Sequence, residues 1–153
     1  MKKIASFTVN HDTLEKGMYI SRTDGDVITY DVRMKKPNGN DYLPTAAAHT
    51  IEHLFATYAR NTAEEDYIVY IGPMGCRTGF YFLTRDSIPH DRAIEIVRDA
   101  MLFISNFDGE IPGTKPSECG NCLEHDLDGA KAVAADMTLV LKGWKISDLK
   151  YKD

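Results

Sequence analysis

The sequence predicts an α+β fold, in which a mostly antiparallel β-sheet carries helices packed on one face. Two observations predict it. Strand-like segments follow one another across turns, and the helical segments stand apart from them, which argues against a parallel sheet with alternating helices. The 153 residues form no internal repeat and suit one hydrophobic core. We therefore expect a single domain over residues 1–153.

Strand patterns rich in β-branched and aromatic residues occur in four segments, which are residues 4–9, 27–34, 67–71 and 78–83. In the second segment apolar and polar side chains alternate, so one face of this strand is buried. Arg33 lies on its polar face, where a solvated charge is the ordinary interpretation. Gly17 and residues 23–26 carry turn signals. The last two strands are separated by a glycine-rich bend that leads into Cys76.

Three helices are predicted from apolar residues at spacings of three and four. They cover residues 45–60, residues 87–108, and a segment that begins at the cap residue Asp126 and runs to about residue 141. Residues 109–121 are rich in glycine and proline and form a loop. Trp144 is expected to anchor packing behind the third helix. The polar residues 145–153 support no prediction.

The composition excludes several classes of partner. The net charge is −5 with no long run of like charges, so we expect neither nucleic acid nor an anionic membrane surface as partner. No apolar run reaches membrane-spanning length. The three cysteines make a poor disulfide framework and fit thiols in a reducing cytoplasm. We expect a cytoplasmic protein.

The segment His49-Thr50-Ile51-Glu52-His53 predicts a metal site on the first helix. Two histidines four residues apart lie one turn apart on the same face, so both rings can bind one ion. Glu52 shares that face and can act as a general base beside a Lewis acid. Two core or solvated histidines are the alternative, since the spacing alone does not require a metal.

Further ligands are available in the loop that holds Cys119 and Cys122. If both cysteines bind, the site is a closed structural Cys2His2 zinc site. If only one binds, a coordination position stays open for water or substrate, as in catalytic sites. Glu52 and Cys76 favour the open site, because a structural site uses neither a neighbouring carboxylate nor a third thiol. In that case Cys76 is expected to face the ion.

Several segments together resemble the S-ribosylhomocysteine lyase (LuxS) family. They are Ser6-Phe7-Thr8-Val9-Asn10-His11, Tyr30-Asp31-Val32-Arg33, His49-Thr50-Ile51-Glu52-His53-Leu54-Phe55-Ala56, and Gly72-Pro73-Met74-Gly75-Cys76-Arg77-Thr78-Gly79-Phe80-Tyr81. A fifth, Glu118-Cys119-Gly120 with His125 following, fits the family's third metal ligand. The resemblance covers nearly the whole chain, and the segment around Cys76 is the most specific.

The resemblance implies a homodimer with one divalent metal per subunit at the subunit interface. The implied ligands are His49, His53 and Cys119. The implied metal is Fe(II), with zinc or cobalt as replacements. The implied reaction moves the sugar carbonyl of S-ribosylhomocysteine by two isomerisations. It then eliminates homocysteine and leaves 4,5-dihydroxypentane-2,3-dione, the precursor of autoinducer-2.

The remaining implied roles are catalysis and substrate binding. Glu52 and Cys76 match the two acid–base residues of the family. Ser6, His11 and Arg33 match substrate contacts, with Ser6 and His11 reaching in from the partner subunit.

Four positions depart from the family pattern. Tyr70 and Asn10 stand where aspartate is usual, and Gly72 where serine is usual. Cys122 is a second loop cysteine that the family does not require, and we expect it to be idle.

Two alternatives from other classes stay open on the residues alone. His-x-x-Glu-His is also a metallopeptidase signature, although such an enzyme has no role for Cys76. A structural zinc module is the second alternative. Release of free thiol from S-ribosylhomocysteine is expected from the lyase and from neither rival.

Overall fold

The computed structural model describes residues 1–152. Within them, four antiparallel strands form one sheet: β1 (Gly17–Asp24), β2 (Val27–Arg33), β3 (Ile68–Pro73) and β4 (Gly79–Arg85). Their spatial order is β1-β2-β4-β3, so β1 and β3 are the edges. The predicted antiparallel sheet is confirmed.

The two faces of the sheet differ in chemistry because side chains alternate along each strand. Tyr30 pairs with Phe82, and both side chains are fully buried on the apolar face. Asp31 pairs with Tyr81 on the opposite, polar face. Gly79 pairs with Arg33, and a side chain at Gly79 would collide with the backbone carbonyl of Val32. The glycine therefore permits the close approach of β2 and β4.

Three α-helices cover the apolar face: α1 (Thr45–Ala59), α2 (His90–Ser105) and α3 (Leu127–Val140). Phe55 of α1 packs on Phe80 and Phe82, with ring centroids 6.3 and 5.5 Å apart. One hydrophobic core joins the three helices to the sheet. The α+β class and the helices on one face are confirmed. No helix in residues 1–152 is long and apolar enough to cross a membrane.

The predicted strand at residues 4–9 is wrong. Ala5–Phe7 form a 3-10 turn, closed by hydrogen bonds from Phe7 N to Ile4 O and from Thr8 N to Ala5 O. The Thr8 hydroxyl also donates to Ala5 O, at 2.7 Å. These local hydrogen bonds replace those of a strand, as short hydroxyl side chains often favour.

The strand β1 and the chain end also differ from expectation. β1 was not predicted as a strand, because its outer half is exposed and lacks an apolar pattern. The turn signals at Gly17 and residues 23–24 lie inside this strand. Residues Ile146–Leu149 form a 3-10 helix with Leu149 buried, so this part of the polar segment has a defined structure. Trp144 anchors packing as predicted, since its Nε1 donates to Met18 O at 2.9 Å.

Candidate active site

One turn of α1 and the loop before α3 bring four candidate metal-binding side chains together. Their ligand atoms lie within 4.8 Å of one another. His49 and His53 come from α1, whereas Cys119 and His125 come from the loop that α3 follows. The Cys119 sulfur lies 3.3 Å from His49 Nε2. The spacing on the helix thus converges as predicted.

Hydrogen bonds to backbone carbonyls orient the two helical histidines. His49 Nδ1 lies 2.7 Å from Glu124 O, and His53 Nδ1 lies 2.8 Å from Pro112 O. A carbonyl only accepts, so each Nδ1 carries the proton and each Nε2 keeps a free lone pair. Gly113 has φ +75°, and this left-handed turn lets Pro112 approach His53. Both rings are therefore prepared as metal ligands.

His125 adds a third imidazole that the spacing of the helix does not reveal. The Thr50 hydroxyl donates to Ala46 O and accepts from Asp126 N. Its oxygen keeps one lone pair, which can accept a hydrogen bond from His125 Nδ1 at 3.0 Å. His125 Nε2 is buried and has no hydrogen-bond partner among the described residues. Burial, followed by the charges of His49 and His53, lowers the pKa of His125, which favours the neutral ring.

This cluster fits a divalent transition metal. Neutral imidazoles and a thiol are the donors that such ions prefer, and the orphaned Nε2 of His125 needs a polar partner. The rings of His49 and His125 are stacked, with centroids 4.0 Å apart and planes 24° apart. Stacked rings cannot both hold one nearby ion in their own planes. At most three of the four side chains can then bind one ion, namely His53, Cys119 and one of the two stacked histidines.

Glu52 lies beside this cluster on the same helix. It is half-buried and shares a surface depression with His53, Ala56, Arg60 and Tyr70. The ring of Tyr70 lies over Gly72, where a larger residue would collide with it. The two departures from the family pattern at Tyr70 and Gly72 are thus linked sterically.

A second group of candidate residues lies on the polar face of the sheet. A cavity of about 200 Å³ is lined by Ser6, His11, Arg33, Cys76 and Tyr81, among others. The Cys76 sulfur lies 3.0 Å from Thr78 Oγ1 and 4.0 Å from Arg33 Nη1. The chain therefore gathers Cys76 and all three predicted substrate contacts in one cavity.

Arg33 is buried, so the solvated interpretation of its charge is wrong. Asp31 accepts from Arg33 Nε at 3.0 Å and from Nη2 at 2.6 Å, which neutralises the guanidinium. Burial alone would lower the pKa of Arg33, but the hydrogen bonds and charge of Asp31 outweigh it, and the pKa is raised. Alternation along β2 places both residues on one face, so an ion pair was foreseeable.

The two groups lie on opposite sides of the sheet. His49, Glu52 and His53 belong to α1 on the apolar face, whereas Arg33 and the Cys76 thiol belong to the polar-face cavity. The expectation that Cys76 faces the ion is not met within one chain. We call the two groups the metal half (His49, Glu52, His53, Cys119, His125) and the thiol half (Ser6, His11, Arg33, Cys76, Thr78).

Comparison with known proteins shows the family to which the chain belongs. The family model for S-Ribosylhomocysteinase (LuxS) matches residues 4–146. The chain belongs to the LuxS family. An S-ribosylhomocysteine lyase of Porphyromonas gingivalis is 48% identical over 136 residues, which is 86% of each chain. One of Clostridium acetobutylicum is 42% identical over the full length of both chains, and one of Borreliella burgdorferi is 44% identical over 99% of both.

Membership in the LuxS family does not support the closed structural zinc site or the metallopeptidase. The fourth member of the cluster is His125, and Cys122 lies outside it. The loop spacing Cys119-x-x-Cys122 resembled a zinc pair, but the structure turns only the first sulfur toward the histidines.

Proposed function

We propose that this LuxS-family chain is an S-ribosylhomocysteine lyase. It cleaves the thioether of S-ribosyl-L-homocysteine to L-homocysteine and 4,5-dihydroxypentane-2,3-dione. The observation that carries the proposal is the convergence of His49, His53 and Cys119 beside Glu52, in a chain of this family. Substrate and products have the same total composition, so no oxidant, reductant or water is consumed.

His49, His53 and Cys119 would hold one divalent metal ion per subunit. Fe(II) is the ion we propose for the cell, with zinc or cobalt as replacements in the same donor set. When bound, the ion supplies a Lewis acid that polarises the sugar carbonyl and acidifies the neighbouring C–H. His125 Nε2 would face the bound sugar as a neutral hydrogen-bonding group, since its ring stacks on His49.

Glu52 and Cys76 would move the protons. Each isomerisation removes a proton from the carbon beside the carbonyl and returns one to the former carbonyl carbon, and two rounds move the carbonyl along the sugar. In the last step a proton leaves the carbon next to the carbonyl, the bond from the β carbon to sulfur breaks, and the enol that forms tautomerises to the dione. The thiolate of homocysteine then takes up a proton. Ser6, His11 and Arg33 would bind the substrate in the polar-face cavity.

We further propose that two copies of the chain complete each site. The metal half of one copy would meet the thiol half of the other, so Cys76 and Arg33 cross the interface together with Ser6 and His11. The support is that the two halves lie on opposite sides of the sheet. Two apolar side chains beside the thiol half, Ile4 and Phe7, are 55% and 68% exposed in the single chain. A homodimer with two interface sites would cover them.

The cytoplasm is the location we propose, because reduced thiols persist there. Cys76, Cys119 and Cys122 are all free. We also propose a small-molecule substrate as the main partner, with neither nucleic acid nor membrane involved.

A thiol-release assay tests the proposed function. The protein is loaded with Fe(II) without oxygen, its metal content is measured, and S-ribosylhomocysteine is added. The expected result is one equivalent of homocysteine thiol per substrate cleaved, with the dione as co-product. Metal-loaded protein that releases no thiol would overturn the proposal. Cleavage of a peptide without thiol release would favour the metallopeptidase.

A further inference from the structure

Tyr151 lies against the thiol half. After the 3-10 helix Ile146–Leu149, Tyr151 packs its ring on Tyr19, with centroids 5.0 Å apart and planes 20° apart. Tyr151 also lines the cavity that contains Cys76. The residue therefore borders the candidate site, although it lies at the far end of the sequence.

The Tyr151 hydroxyl donates to Asp31 Oδ2 at 2.7 Å. The same oxygen accepts from Arg33 Nη2, and the Asp31 side chain is only 2% exposed. Burial, followed by the charge of Asp31, raises the pKa of Tyr151, so the phenol stays protonated and keeps donating at neutral pH. The hydroxyl thus restrains the carboxylate that holds the guanidinium.

Arg33 connects the Asp31 carboxylate to the Cys76 thiol. Of its five N–H donors, Nε and Nη2 each give one to Asp31, and Nη1 gives one to Thr78 Oγ1 at 2.7 Å. Nη1 also lies 4.0 Å from the Cys76 sulfur. Because the guanidinium is planar, the hydrogen bonds from Nε and Nη2 to Asp31 also fix the direction in which Nη1 points. Any tilt at Asp31 therefore moves Nη1 relative to the sulfur.

We propose that Tyr151 is a positioning residue for Cys76, acting through Asp31 and Arg33. The inference deepens the proposed function and rests on it for the role of Cys76. A cation beside a cysteine favours the nucleophilic thiolate. Loss of the Tyr151 hydroxyl would loosen Asp31, let Arg33 tilt, and make Cys76 less reactive.

Tyr151→Phe tests this step because it removes one hydroxyl and keeps the ring on Tyr19. Tyr19→Phe is the matched control, since that hydroxyl donates to the backbone carbonyl of Glu15 at 3.0 Å and not to Asp31. The rate of Cys76 alkylation by iodoacetamide is measured in the metal-loaded full chain, with peptide mass spectrometry to separate the three cysteines. We expect Tyr151→Phe to slow alkylation about three- to tenfold, the range that one hydrogen bond supports. Tyr19→Phe should stay within about twofold.

An Arg33→Lys background shows whether the effect passes through the guanidinium. Lysine keeps the charge but lacks the planar fork that Asp31 grips. Tyr151→Phe should then slow alkylation by less than about twofold, because the coupling between the two residues is lost. The same pattern is expected in kcat for thiol release.

Three results would overturn the role of Tyr151: an unchanged alkylation rate in Tyr151→Phe, an equal loss in Tyr19→Phe, or the full loss in the Arg33→Lys background. The alkylation comparison does not need turnover. If the unsubstituted chain releases no thiol from S-ribosylhomocysteine, the proposed function fails, and the alkylation rates still decide the role of Tyr151.

Discussion

His49 and His53 show how much chemistry one helical turn can organise. Their spacing brings both rings to one place, and two backbone carbonyls fix the tautomer of each ring. Glu52 needs no separate element, since it shares their turn of helix. The motif therefore predicts three of the five members of the metal half, which are His49, Glu52 and His53. It does not predict His125, which reaches the cluster from a loop more than seventy residues later.

Replacing Cys76 by alanine separates catalysis from metal binding. Because Cys76 lies outside the metal cluster, Cys76→Ala should keep the full metal content and lose thiol release by at least about a hundredfold, as for loss of an acid–base residue. Metal analysis and the thiol assay on one preparation check this. Loss of metal would instead assign Cys76 to the ligand set.

Glu52→Gln should behave in the same way. The amide keeps the size of the side chain but cannot accept a proton, so metal should stay bound while turnover falls at least about a hundredfold. His53→Gln is the contrasting variant and should lose metal affinity. Substantial turnover by Glu52→Gln would remove Glu52 from the acid–base pair.

Cys122→Ser tests the loop spacing. The Cys122 sulfur is not part of the cluster, so this variant should keep both its metal and its kcat within about twofold. Cys119→Ser is the matched loop variant and should lose metal. If Cys122→Ser loses its metal, a Cys2His2 site forms in solution and the open site is contradicted.

Among the elements, α3 depends on a cap next to the metal half. Asp126 precedes Leu127, and its carboxylate accepts from Gly129 N at 2.9 Å. A side chain at Gly129 would collide with that carboxylate, so the two residues are matched. The cap fixes where α3 begins, and thereby where His125 stands.

Asp126→Ala should lower the free energy of unfolding by about 1 kcal/mol, the usual cost of losing an N-cap. Asp128→Ala, in the exposed first turn, should cost less than about 0.5 kcal/mol. Urea unfolding of both variants at equal metal loading checks this. If both variants lose the same free energy of unfolding, the Asp126 hydrogen bond adds no more stability than an exposed carboxylate in the first turn.

An ion pair between Glu64 and Arg92 joins α2 to the segment before β3. Glu64 accepts from Arg92 Nε and Nη2, both at 2.9 Å. The hydrogen bond from Arg92 lowers the pKa of Glu64. A carboxyl whose pKa is lower in the folded chain adds stability above its unfolded pKa and loses it as the pH falls through its folded pKa. Glu64→Gln should thus be less stable than the parent at neutral pH.

Unfolding measured between about pH 7 and pH 3 tests this sign, since that range spans an ordinary carboxyl titration. The difference in the free energy of unfolding between parent and variant should be largest near neutral pH and should disappear toward acid pH. A gap that widens toward acid would contradict the assigned direction.

At the scale of the whole molecule, local patterns predicted the elements and long-range packing decided the rest. α1 was expected at residues 45–60 and spans Thr45–Ala59, because its apolar stripe is continuous. The alternation in β2 was equally clear. The N-terminal turn was missed because its local hydrogen bonds override a strand-like composition. Tyr151 was missed because its partner is distant, since it meets Asp31 across 120 residues of sequence.

Long-range packing also decides how the residues of the site are arranged. Sequence similarity to the LuxS family implied which residues take part, but only the fold separates them into two halves on opposite sides of the sheet. This separation is the reason to propose that Cys76 reaches the metal half of a second copy.

Subunit mixing tests that claim most directly. Cys76→Ala and Glu52→Gln chains are each expected to be inactive on their own, and they are unfolded together at equal amounts, refolded with Fe(II), and assayed for thiol release. If each site combines Glu52 of one copy with Cys76 of the other, mixed dimers hold one intact site. The mixture should then recover about a quarter of the unsubstituted activity, given random pairing. A mixed-dimer preparation, verified by mass spectrometry, that releases no thiol would show that Cys76 and Glu52 act within one chain.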